Sequence, residues 1–74
     1  MDRKYLVIIE KAADGSFSAH VPDLPGCVSC ADTVEKLKDS IKEAINLYVQ
    51  DMIADGETVP EPTTQCEFVE ATAA

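Results

Sequence analysis

One long amphipathic stretch constrains this sequence more than any other feature. From Asp32 or Thr33 to about Asp55, Val34, Leu37, Ile41, Ala44, Ile45, Tyr48 and Met52 recur at three- and four-residue spacing, and Lys38, Asp39, Lys42, Glu43, Asn46 and Gln50 fill the other face. That period predicts one helix, roughly 33 Å long, with a single apolar stripe. Asp32 with Glu35 fits a capping box, Thr33 is a second possible cap, and Gly56 supplies the stop. With no second helical stretch to cover it, the stripe has to lie across a sheet.

The sheet is written mostly before the helix. Tyr5-Leu6-Val7-Ile8-Ile9 is apolar on both alternating faces, as expected of a central strand covered on each side. Asp14-Gly15 is a hairpin signal, and Phe17, Ala19 and Val21 then alternate with Ser16, Ser18 and His20, so strands one and two should pair antiparallel. The prolines and glycine of Pro22-Asp23-Leu24-Pro25-Gly26 end the ladder in a rigid loop. Cys27 to Ala31 reads as a third strand beside the second, with Val28 and Cys30 on one face. After the helix, Val59-Pro60-Glu61-Pro62 is a stiff extended connector, Gln65 to Val69 is a candidate fourth strand, and Ala71 to Ala74 is a frayed tail.

The expected fold is therefore α+β in the order β-β-β-α-β, an antiparallel sheet with one long helix packed on one face. Residues 1–74 form one domain, since 74 residues are too few for two. A core this small, an unpaired edge strand and a sheet face with no helix to cover it predict self-association to a dimer or tetramer. The apolar run after Met1-Asp2-Arg3-Lys4 is too short for a signal peptide or a membrane span, so the expected compartment is the cytoplasm. Three cysteines without an export signal, Cys27, Cys30 and Cys66, read as reduced thiols.

Chemistry finds little purchase. Cys27-x-x-Cys30, with His20 and Cys66, could be imagined as zinc ligands, but residues three apart in a strand point to opposite faces. His20, the lone histidine, has no nucleophile or orienting acid at recognisable spacing, and Ser16, Ser18 and Ser29 lack a base. Asp14, Asp23 and Asp32 occupy turn or cap positions, where local hydrogen bonding accounts for them. No cofactor, metal site or enzymatic activity is expected. A formal net charge of -8 disfavours direct contact with nucleic acid and favours a cationic surface. These readings stop at a small acidic domain that associates.

Pro22-Asp23-Leu24-Pro25-Gly26-Cys27, followed by Ser29 and by Asp32-Thr33-Val34-Glu35, resembles the HicB antitoxin family, whose members carry a P-D-L-P-G-C stretch and a G-D-T-x-E-E helix start. Tyr5, Asp14-Gly15, Phe17, Ala44, Gly56 and Val59-Pro60-x-Pro62 fall where that family places comparable residues, so the likeness runs from about Tyr5 to Phe68. The resemblance makes Pro22, Gly26, Cys27, Asp32 and Thr33 the fold-defining motif and implies a partial RNase H-like fold. It also implies a small, basic, mRNA-cleaving HicA-type toxin as partner, masked in part through Asp23, Leu24, Pro25 and the exposed acids near the helix. RNase H-like topology does not imply nuclease activity here, because the acidic cluster that would hold two metal ions is not recognisable. Ala31 replaces the family's usual glycine and Lys36-Leu37 its common Glu-Ala. No DNA-binding helix-turn-helix or ribbon-helix-helix follows, so operator binding is not carried over. The alternative function is an orphan HicB-like oligomeric domain, non-enzymatic, with another partner or ligand.

Overall fold

A computed structural model describes residues 3–72. Three strands, β1 (Ile8–Lys11), β2 (Phe17–His20) and β3 (Val28–Ala31), precede one helix, α1 (Val34–Ala54). The strands form an antiparallel sheet in the order β1-β2-β3, an α+β arrangement.

The β1-β2 turn follows from its residues. Gly15 takes a φ of +90°, the Ala12 carbonyl accepts from Gly15 N at 3.0 Å, and Ala12 N donates to Ser16 O at 2.7 Å. Only glycine adopts that backbone without strain. Asp14 closes the turn by accepting from the Ser16 amide and hydroxyl at 2.9 and 2.7 Å, which holds its carboxyl below its ordinary value. The expected local role of Asp14 is therefore the one it has.

Register sorts the sheet into two faces. Ile9 pairs with Ala19 and Ala19 with Ser29, which places these residues on the helix side. Ile8 pairs with His20 and His20 with Val28, which places them on the opposite side. Cys30, opposite Ser18, also lies on that open side, whereas Cys27 is buried in the core. Burial pushes the Cys27 thiol up, away from the reactive thiolate form.

α1 is capped by Thr33, whose Oγ1 accepts from Lys36 N at 3.2 Å; of the two possible caps the second is used. At its other end Glu57 N reaches Met52 O at 2.9 Å and Gly56 N reaches Ile53 O at 3.1 Å, with Gly56 at φ +74°. These are the two bonds of a Schellman stop. The helix packs on β3 and β2, and Ala19, Val21, Leu24, Cys27, Leu37 and Ile41 form the buried core.

Two expectations need correction. The first strand is regular over Ile8–Lys11 rather than residues 5–9, and it is an edge strand, not a central one. Its apolar residues on both faces are explained differently: Val7 and Ile9 border a groove beside α1, and Ile8 faces the uncovered side. The candidate fourth strand, residues 65–69, pairs with no strand among the described residues. It is an extended arm instead, with Phe68 102% and Val69 87% exposed. The radius of gyration is 14.5 Å, against about 11 Å for a compact chain of this length. Of the expected frayed tail, Ala71 and Thr72 are exposed and irregular, and Ala73 and Ala74 lie outside the described residues.

Candidate protein interface

The loop between β2 and β3 is tied to the rest of the fold at several points. Val21 N donates to Cys27 O, Leu24 N to Val21 O and Cys27 N to Leu24 O, each at 3.0 to 3.1 Å, and Gly26 takes a φ of +85°. This double turn drives Leu24 into the core, where it is 0% exposed. Tyr48, on α1, donates its hydroxyl to Pro25 O at 2.8 Å and so fixes the loop to the helix. Removing that hydroxyl by Tyr48→Phe should cost about 0.5–1 kcal/mol, because the bond is solvent-accessible. Urea denaturation measures the loss, and an unchanged midpoint would show that the loop holds its shape without the helix.

Asp23 has the largest set of partners in the loop. Its carboxylate accepts from the amides of Thr63 and Thr64 at 3.1 and 3.0 Å, and from their hydroxyls at 3.2 and 2.7 Å. These bonds, with the Thr64 hydroxyl first, hold the carboxyl below its ordinary value. The expectation that Asp23 is satisfied locally is thus corrected: its partners lie some 40 residues away in sequence. Nothing in the loop sequence announces them. The one available signal, two adjacent threonines after a stiff Pro-x-Pro connector, is weak. Tyr5 extends the same clasp by donating to Pro60 O at 2.5 Å, and its phenol is pushed up by burial.

The structure therefore gives the sequence-predicted residues different situations. Pro25 and Gly26 are exposed, Pro22 and Asp23 are half-buried, and Leu24 and Cys27 are inside. Thr33 caps the helix, and Asp32 is exposed beside it.

Two larger surfaces stand apart from the loop. The sheet face opposite α1 carries Ile8, His20, Val28 and Cys30 with no element over it, and Val28 is 64% exposed. On the helix side, a groove of about 400 Å³ runs between the β1 strand and α1. Tyr5, Val7, Ile9, Ile41 and Ile45 line it with apolar surface, while Arg3, Lys38 and Lys42 supply cations. Rotation by 100° per residue takes Asp39 and Glu43 to the outward side of α1 together with Lys36, whereas Glu35 lies on the same side as Lys42, at the flank of this groove; all are exposed. Among the described residues no group of three or more histidine, cysteine or carboxylate side chains could hold a metal ion, and no helix is long and apolar enough to cross a membrane.

Comparison with known proteins agrees with this architecture. A family model described as the HicB-like antitoxin of bacterial toxin-antitoxin systems matches residues 5–73. A UPF0150 protein of Synechocystis sp. is 44% identical over 57 residues, covering 77% of this chain and 72% of the relative. A UPF0150 protein of Archaeoglobus fulgidus is 41% identical over 58 residues, 76% of this chain and 84% of the relative. An uncharacterized 14.9 kDa protein of Haemophilus phage HP1 is 40% identical over 57 residues, 77% of this chain but 42% of that longer protein.

Proposed function

Because this chain belongs to the HicB-like antitoxin family of bacterial toxin-antitoxin systems, we propose that it neutralises a small basic HicA-type mRNA-cleaving toxin by covering the toxin's surface. The match over residues 5–73 carries this proposal. The net charge of -8 supports it physically, since an acidic protein attracts a basic partner and repels the RNA that partner cleaves. The role is non-enzymatic and cytoplasmic, needs no cofactor and involves no direct contact with nucleic acid.

Three surfaces suit such a partner. The exposed Glu35, Asp39 and Glu43 offer charge, the sheet face around Val28 offers apolar area, and Pro25 offers an exposed loop tip. In that loop, Leu24 and Asp23 act by holding Pro25 in place. Self-association accompanies the role, because the free strand edges and the uncovered face leave a single copy incompletely packed.

The test combines the purified protein with a purified small basic HicA-type toxin and follows mRNA cleavage. Stoichiometric addition should abolish cleavage, and affinity should fall at least about tenfold between roughly 50 and 500 mM salt. Cleavage that continues in the presence of excess protein would sink the assignment.

A further inference from the structure

We propose that the arm of one copy, residues 65–70, adds along the free edge of β1 in a second copy and seats Phe68 in the groove between β1 and α1. This deepens the proposed self-association by assigning it a surface and an occupant.

The groove needs an occupant with particular properties. β1 is an edge strand, so one side of its backbone has no strand partner. α1 packs on β3 and β2 and leaves the inner face of β1 open. An extended segment that both pairs with β1 and presents an apolar side chain would satisfy the two deficits together.

Charge identifies that segment. Three of the chain's six cationic side chains line this one groove; Arg3 is paired with Glu61 of its own chain at 3.6 Å, and Lys38 and Lys42 supply the charge that remains. A basic protein is repelled there, whereas an apolar segment carrying carboxylates is matched. Residues 65–70, Gln-Cys-Glu-Phe-Val-Glu, have that composition. All six are exposed, and they pair with no strand among the described residues. The arm's departure point is fixed, because Asp23 grips Thr63 and Thr64 immediately before it. A second copy carries both the same groove and the same arm, so the exchange is reciprocal and closes as a two-fold dimer.

Sedimentation velocity on the full chain, with charge-reversed variants, tests the exchange. Wild type should sediment as a dimer or a larger species. E67K/E70K makes the arm cationic, K38E/K42E makes the groove anionic, and each alone should dissociate at least about tenfold more readily. Mixed one to one, the two variants should recover the dimer, because each arm then meets a groove of opposite sign. Recovery needs folded chains, so it also separates repulsion from misfolding. Wild-type association that neither reversal weakens would overturn the arm exchange and leave the broader self-association standing. Variants that weaken but do not recover on mixing would likewise overturn it. A wild type that stays monomeric at every concentration would overturn both.

Discussion

Leu37→Ala should remove a large part of the protein's folding stability. Leu37 is 0% exposed, sits on the inner side of α1, and packs with Ala19, Val21, Leu24 and Cys27. Truncating a fully buried leucine costs about 2–5 kcal/mol, the spread reflecting how far the cavity collapses. A 74-residue chain has only about 4–11 kcal/mol of stability in total. With seven buried hydrophobic residues among those described, this core has little to redistribute, so the upper half of the range is expected. Urea titration followed by helical circular dichroism, at one fixed protein concentration, reads the effect. A loss under about 1 kcal/mol would mean that Leu37 does not hold α1 to the sheet.

Asp23→Ala should have the second-largest effect, local rather than global. One carboxylate satisfies two amides and two hydroxyls of Thr63 and Thr64, so its removal frees the connector and the base of the arm together. Amide exchange at Thr63 and Thr64 should rise to the rate of an unstructured peptide, while the core amides of β2 stay protected. Asp23→Asn, which keeps one acceptor oxygen, should retain part of the protection. Acid should reproduce the loss in wild type. The folded-state pKa lies below the unfolded value, which is about 3.9. The stabilisation is therefore fully present above that unfolded value and disappears as pH falls through the lower folded one. Thr63 and Thr64 amide shifts that are flat between pH 6 and about 2 would contradict the clasp. The same variant separates two roles for Asp23, since a direct toxin contact would lose affinity without any change in connector exchange.

Local pattern carried most of the fold. The three- and four-residue spacing of Leu37, Ile41, Ala44 and Tyr48 located α1 to within two residues of Val34–Ala54, because helix periodicity is a property of neighbouring residues. Asp14-Gly15 located the hairpin for the same reason, and strand alternation separated Cys27 from Cys30. The pairing of strands one, two and three was legible too; that the first lies at an edge was not. Apolar residues on both faces suit a buried central strand, and equally an edge strand with a groove on one side and an uncovered face on the other; β1 is the second kind. Long-range polar partners were hidden too. Asp23 reads as a turn residue because turns favour aspartate, and only the fold brings Thr63 and Thr64 to it. In the candidate interface, the acids and lysines of α1 were visible, but which of them border the groove depends on which stripe meets the sheet.

The hydroxyls of Ser29 on β3 and Ser40 on α1 hydrogen bond to each other across the helix-sheet boundary, both partly buried. Leucine and isoleucine contacts tolerate sliding, since an apolar stripe displaced by one turn still meets apolar surface. A hydroxyl pair does not tolerate it, because the slipped helix would leave both groups short of a partner. With the Tyr48 hydroxyl on Pro25 O, this pair resists any shift of the helix across the third strand. Whatever settles in the track beside the first strand therefore meets a helix wall whose place is set from the far side of the sheet.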